Sequence, residues 1–194
     1  MQPIIYTYSH AEILYFPEFL SSEEAEFYYQ ALLKSVKWEQ SSITIFGKKI
    51  PQPRLSALYA KNDVSYTYSG LTLHPEPYSK ELLNLDQKIR EACGFESSHC
   101  LANLYRDGND SMGWHSDDEK VLGKNPTIAS LSLGAERKFM LKHKKISGLK
   151  KEIILNSGSL LLMQGKTQHF WKHQLPKTKK IHSPRINLTF RKIF

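Results

Sequence analysis

The chain has 194 residues, of which 40% are hydrophobic and 11% aromatic, and carries a formal charge of +8. That length suits one domain able to bury its own core, and the composition is that of an ordinary soluble globular protein with no apolar run long enough to span a membrane. The excess of Lys and Arg favours polyanionic partners, nucleic acid foremost; a merely solvated basic surface is the alternative.

The opening Met1-Gln2-Pro3-Ile4-Ile5-Tyr6 lacks the basic start and apolar run of a secretory signal. Two cysteines, Cys93 and Cys100, without metal-ligand companions read as reduced thiols. An intracellular protein is expected: cytoplasmic or nucleoid-associated in a bacterium, nuclear in a eukaryote. The basic clusters lie late, at Lys142 to Lys145, Lys150-Lys151 and Lys177 to Lys180, interleaved with hydrophobic runs rather than gathered in a tail.

The segment to about Phe19 is expected to be extended. A helix then begins at Ser21 or Ser22, because Ser21 and Glu24 have capping-box spacing and acids crowd the first turn. Phe27, Ala31 and Val36, with Tyr28 and Leu32 beside them, are its predicted apolar face. A second helix is predicted over Ser79 to Cys93, with Leu82, Leu85, Ile89 and Cys93 inward and Gly94 as its stop.

Between the helices, Ile43, Ile45 and Phe46 precede Gly47-Lys48-Lys49, and the chain continues through Ile50-Pro51-Gln52-Pro53-Arg54. Glycine followed by lysines predicts a hairpin tip, with Phe46 beside it. An apolar ring on a protruding basic loop suits a wedge between stacked bases; the plainer alternative is a ring packed back onto its sheet.

From Leu101 onward the pattern is almost entirely β. Thr127 to Leu133, Lys138 to Leu141, Glu152 to Leu155, Ser159 to Met163 and Arg185 to Phe190 are separated by turns at Arg106-Asp107-Gly108-Asn109, Ser147-Gly148 and Asn156-Ser157-Gly158. The predicted fold class is α+β, mainly β: a double-stranded β-helix (jelly roll) with supporting N-terminal helices. One domain over 1–194 is expected, with a nucleotide-recognition hairpin region at about 40–75 and the jelly-roll core at about 101–194.

His115 and Asp117, in Trp114-His115-Ser116-Asp117-Asp118-Glu119, stand two residues apart and would share one face of a strand. With one more histidine they make the 2-His-1-carboxylate set of a non-haem Fe(II) oxygenase. Spacing alone leaves His173 and His169 equally eligible as the third ligand. In the final strand Arg185, Asn187, Thr189 and Arg191 share one face opposite Ile186, Leu188 and Phe190. Two arginines on a half-buried face call for an anionic companion, and a small dicarboxylate fits because guanidinium grips carboxylate in bidentate fashion; an exposed polar face touching solvent or phosphate is the alternative.

These residues carry a resemblance. Asn103-Leu104-Tyr105, His115-Ser116-Asp117-Asp118-Glu119, Ile128-Ala129-Ser130-Leu131-Ser132, Trp171-Lys172-His173 and Arg185-Ile186-Asn187-Leu188-Thr189-Phe190-Arg191 resemble, in order, the AlkB family of Fe(II)- and 2-oxoglutarate-dependent nucleic-acid dealkylases. Upstream, Phe46-Gly47-Lys48, Pro53-Arg54 and the run from Tyr66 to Leu73 are similar to the branch that repairs alkylated bases in duplex DNA.

The resemblance implies His115, Asp117 and His173 as iron ligands, and Asn103, Tyr105, Arg185, Asn187, Thr189 and Arg191 around 2-oxoglutarate. It implies Tyr66 and Tyr68 against the flipped base, Asp118 and Glu119 lining its pocket, Phe46, Gly47 and Lys48 as an intercalating finger, and Arg54 as a basic neighbour of that finger. Tyr68 stands where the animal enzyme is expected to have phenylalanine, and it can still stack. The implied activity is oxidative demethylation of bases of the 1-methyladenine and 3-methylcytosine type in DNA, using Fe(II), 2-oxoglutarate and O2 and releasing succinate, CO2 and formaldehyde. Expected partners are alkylated DNA, duplex and single-stranded, with RNA as an alternative substrate; a monomer that binds no membrane is expected. The alternatives are an RNA or tRNA demethylase and a catalytically silent nucleic-acid-binding module.

Overall fold

The computed structural model describes residues 2–194 except 46, 62–65, 69–70 and 74, and at 44–45, 66–68 and 71–73 it describes the backbone alone. Phe46 therefore lies outside the described residues, and so do the side chains of Tyr66 and Tyr68.

In chain order, β1 (Ile4–Tyr8) and β2 (Ala11–Phe16) form a hairpin ahead of α1 (Ser22–Ser35). Next come the hairpin of β3 (Ser42–Ile45) and β4 (Lys48–Pro51), then β5 (Leu55–Ala60). The short strands β6 (Tyr66–Tyr68), β7 (Leu71–Leu73) and β8 (Glu76–Pro77) lead to α2 (Lys80–Cys93). The remainder is β9 (His99–Tyr105), β10 (Met112–His115), β11 (Ile128–Gly134), β12 (Arg137–His143), β13 (Lys150–Leu155), β14 (Leu160–Gln164), the one-turn α3 (Thr167–Phe170), β15 (Trp171–Leu175) and β16 (Arg185–Arg191).

An eight-stranded sheet runs in the order β1-β2-β14-β11-β16-β9-β5-β8, and a four-stranded sheet in the order β10-β15-β12-β13. The two make the expected jelly roll. Period-two alternation divides the large sheet between two cores. Ala129, Leu131, Leu133, Leu160, Leu162, Ile186, Leu188 and Phe190 pack with Leu32, Leu82, Leu85 and Ile89 of the helices. Ile128, Leu161 and Met163 face the other way and pack with Phe139, Leu141, Ile153 and Trp171 of the smaller sheet. The polar residues of β11 and β16 point into this second layer, where the pocket lies.

Helix α1 has the expected capping box, with Ser21 and Glu24 bonded reciprocally. Tyr28, Leu32 and Val36 of the expected face are buried, and the departure from it lies at Phe27 and Ala25. Ala25, Tyr28 and Leu32 are inward, with Val36 just beyond the helix, whereas Phe27 is 62% exposed. The spacing 25, 28, 32, 36 is an unbroken i, i+3, i+4 stripe, which a face starting at Phe27 cannot reproduce. In α2, Leu82, Leu85 and Ile89 are buried as expected, and Gly94 closes the helix at φ +66. The β3–β4 hairpin turns where expected: Ile45 pairs with Lys48, and Gly47 has φ +76. All of β4 is exposed. Cys93 and Cys100 are free thiols. Among the described residues, no helix is long and apolar enough to cross a membrane.

Candidate metal centre and oxoacid pocket

His115 and His173 are directly opposed across the β10–β15 pair, with ring centroids 4.2 Å apart. Together with Asp117 their ligand atoms lie within 4.8 Å of one another, and His173 Nε2 is 3.5 Å from Asp117 Oδ2. Among the described residues this is the one cluster of three or more His, Cys, Asp or Glu able to hold a metal. His169, left open by spacing, is elsewhere: its Nε2 lies 2.9 Å from Asn125 Oδ1.

His115 and Asp117 are not held on one strand face as expected, because β10 ends at His115. Side chains fix the aspartate's segment instead. Ser116 Oγ donates to the Trp171 carbonyl over 2.9 Å, and the Asp117 amide donates to Oε1 of the fully buried Gln168 over 2.9 Å. His115 Nδ1 is 2.8 Å from the Gly113 carbonyl. A proton on Nδ1 satisfies that carbonyl and leaves Nε2 with a free lone pair, the arrangement a metal-binding imidazole requires.

The charge states suit a cation. Burial pushes the His173 imidazole down to about 3, with His115 adding to the fall, so it is neutral at physiological pH. Burial alone would raise the Asp117 carboxyl, but Arg191, together with His173 and His115, holds it below the ordinary value. Arg191 Nη2 donates to Asp117 Oδ1 over 2.6 Å. The other oxygen, Oδ2, is the one that faces His173. Two imidazoles and one ionised carboxylate are the donor set of a facial triad, and a ferrous ion fits them.

The pocket continues from this cluster along β16, β9 and β11, lined by Arg54, Asn103, Tyr105, Ser130, Arg185, Asn187 and Thr189 as well as the three candidate ligands. Arg185 is 2% exposed, and its Nη2 donates to Ser132 Oγ over 2.9 Å. Its Nε is buried without a hydrogen-bond partner, and among the described residues no carboxylate pairs with it. Burial lowers this guanidinium to about 10. A buried cation lacking an internal anion is costly, so the pocket is built for an anionic ligand, and a dicarboxylate fits it. Asn187 Nδ2 donates to Ser130 Oγ over 2.8 Å, and Thr189 Oγ1 donates to Asn187 Oδ1 over 3.2 Å. The Tyr105 ring has Arg185 5.5 Å from its centroid on this side and Arg137 at 5.8 Å.

Six expected oxoacid residues thus line one pocket. Arg54 joins them rather than the finger. It is 4% exposed, and its Nε donates to Asn103 Oδ1 over 2.9 Å. Asp118 and Glu119 lie just past the metal cluster: Asp118 is exposed and paired with Lys144 Nζ at 3.0 Å, while Glu119 Oε2 is buried and accepts no hydrogen bond. Gly47 and Lys48 stand at the exposed β3–β4 turn. Sequence reasoning missed Ser132, Gln168 and Lys144. Ser130 and Ser132 had a signal, because alternation along β11 sets them opposite Ala129, Leu131 and Leu133 and across from Thr189 and Asn187. Gln168 and Lys144 had none.

The family model of the 2OG-Fe(II) oxygenase superfamily matches residues 12–191. The mouse protein named alpha-ketoglutarate-dependent dioxygenase alkB homolog 3 is 38% identical over 195 residues, covering 95% of this chain and 67% of the relative. The bovine protein named DNA oxidative demethylase ALKBH2 is 39% identical over 180 residues, covering 88% of this chain and 65% of the relative. The chain therefore spans about two thirds of the length of these curated relatives. The solved structure of OsALKBH1 has the same fold, with a TM-score of 0.70 over 96% of this chain and 99% of that one at 17% identity. The chain belongs to the AlkB family of 2OG-Fe(II) oxygenases.

Proposed function

We propose that this chain removes N-alkyl groups oxidatively from damaged bases in DNA, of the 1-methyladenine and 3-methylcytosine type. The observation that carries this is the joining of the His115–Asp117–His173 cluster to a pocket whose Arg185 guanidinium is buried without an anion. The bovine relative named as a DNA oxidative demethylase supports the choice of substrate.

His115, His173 and Asp117 would hold Fe(II), and Arg191 keeps Asp117 ionised and turned toward the imidazoles. Arg185 would take the distal carboxylate of 2-oxoglutarate, with Asn103, Tyr105, Asn187, Thr189 and Arg191 around the rest of it. Bound iron with 2-oxoglutarate and O2 supplies hydroxylation of the N-methyl carbon, with succinate and CO2 as co-products and formaldehyde lost from the hydroxylated base. The protein's own task is to present that methyl group. An alkyl group on N1 of adenine or N3 of cytosine leaves the base cationic, and the Asp118 and Glu119 carboxylates attract the cation while neutral bases gain nothing comparable. Tyr66 and Tyr68 stack on the extruded base, and damaged bases cost less to extrude because they pair poorly.

Phe46, Gly47 and Lys48 form a finger that fills the gap left by extrusion, and surface lysines hold phosphates without reading sequence. Single-domain organisation over 1–194, a monomeric state, action on both duplex and single-stranded DNA, and an intracellular location, in the nucleoid or nucleus, belong to the same proposal. Turnover on matched methylated duplex DNA, single-stranded DNA and RNA tests it: DNA should be dealkylated faster than RNA of the same sequence. Faster turnover of RNA would assign the chain to RNA instead.

A further inference from the structure

Lys144 sits just past β12, and its ammonium and backbone are both committed to the segment that carries the metal ligands. Nζ lies 3.0 Å from Asp118 Oδ2 and donates to the Gln168 carbonyl over 2.8 Å. The Lys144 amide donates to the Phe170 carbonyl over 2.7 Å. Gln168 and Phe170 belong to α3, and the Gln168 side chain accepts from the Asp117 amide. The lysine is thus anchored to a fixed turn, with its charge against the carboxylate that directly follows the metal-ligand aspartate.

Asp118 is accordingly not an unpaired anion waiting for a ligand. One of its oxygens is already held by an internal cation, and the side chain is 49% exposed. A cationic base approaching this carboxylate meets like charge on Lys144 and must share or displace it; a neutral base of the same shape meets no such opposition. From this geometry we infer that Lys144 is the resident counter-ion of Asp118 and sets how strongly the site prefers cationic over neutral alkylated bases. The inference rests on the assignment of Asp118 to the base. Lysine here holds the preference below its ceiling, which widens the range of lesions accepted.

The test compares kcat/KM on one oligonucleotide carrying either 3-methylcytosine, a cation, or 3-methylthymine, a neutral base methylated at the same ring position. Lys144→Met is expected to raise the cationic-to-neutral ratio by about threefold, in keeping with the modest strength of a partly exposed ion pair. Lys144→Arg, which keeps the charge, should retain the wild-type ratio. An unchanged or lower ratio in Lys144→Met overturns the inference; in particular, equal losses on both substrates make Lys144 a phosphate contact. Asp118→Asn separates the two layers. If it leaves the wild-type ratio intact, the assignment of Asp118 is wrong. If it lowers the ratio while Lys144→Met leaves it alone, the assignment stands and the role of Lys144 falls.

Discussion

Arg191 and Asp117, seventy-four positions apart, meet through a 2.6 Å bond from Nη2 to Oδ1 with both side chains buried. The last residue of the final strand thereby orients the carboxylate of the metal cluster. Breaking a buried pair by removing one partner leaves an uncompensated charge and costs about 3–5 kcal/mol. Arg191→Met should lower the melting temperature and weaken Fe(II) binding together, checked by calorimetry and metal titration. Wild-type metal affinity in a folded Arg191→Met protein would contradict the orienting role.

Arg185 behaves oppositely. It has no internal anion among the described residues, so its removal relieves a desolvated charge in the ligand-free protein. Arg185→Met should raise KM for 2-oxoglutarate by about ten- to a hundredfold, the range for a lost hydrogen bond to a charged group, without lowering the melting temperature of the apoprotein. Steady-state kinetics and thermal melts together check both halves.

Gln168 contributes one hydrogen bond to the Asp117 amide from a fully buried position. Gln168→Leu keeps a buried side chain of similar size but leaves that amide without its acceptor. Iron affinity should fall by about ten- to a hundredfold, as for other outer partners of metal ligands, while the fold persists. Circular dichroism with metal titration reads the two separately.

Among the described residues, Asp110 is a buried source of acid sensitivity away from the metal. Burial would raise the Asp110 carboxyl, but bonds from the Arg106 side chain and backbone, with Arg137 nearby, hold it below the ordinary value. A lowered folded-state pKa means stability present above the unfolded carboxyl range, near about 4, and lost as pH falls through the folded value. Urea midpoints for wild type and Asp110→Asn should differ by a constant amount from neutrality to mildly acid pH and converge below that range.

For the finger, Phe46→Ala should reduce repair of methylated duplex DNA much more than of the single strand, since only the duplex leaves a stacked gap to fill. Equal loss on both substrates would remove the wedge.

Much of this was legible because strands advertise their faces. The alternation of Arg185 to Arg191 placed four polar residues in one pocket and three apolar ones against the helices. The Gly47-Lys48 turn and the capping box at Ser21 were legible for similarly local reasons. What escaped depends on distant partners. Helix α1 has more apolar residues than one stripe needs, and only packing against the sheet turns Ala25 inward and leaves Phe27 exposed. Arg54 is expected only as a basic neighbour of the finger, and its bond to Asn103, forty-nine positions away, shows it in the pocket. Gln168 and Lys144 carry no pattern at all; their importance comes from a single turn folding onto Asp117 and Asp118.

The most direct test loads the protein anaerobically with Fe(II) and 2-oxoglutarate in the presence of a DNA oligonucleotide containing 1-methyladenine, admits O2, and weighs the bases by mass spectrometry. Unmodified adenine should appear with matching amounts of succinate and formaldehyde, and Asp117→Ala should abolish all three. Persistence of 1-methyladenine under these conditions, with the metal shown to be bound, would contradict the proposed activity.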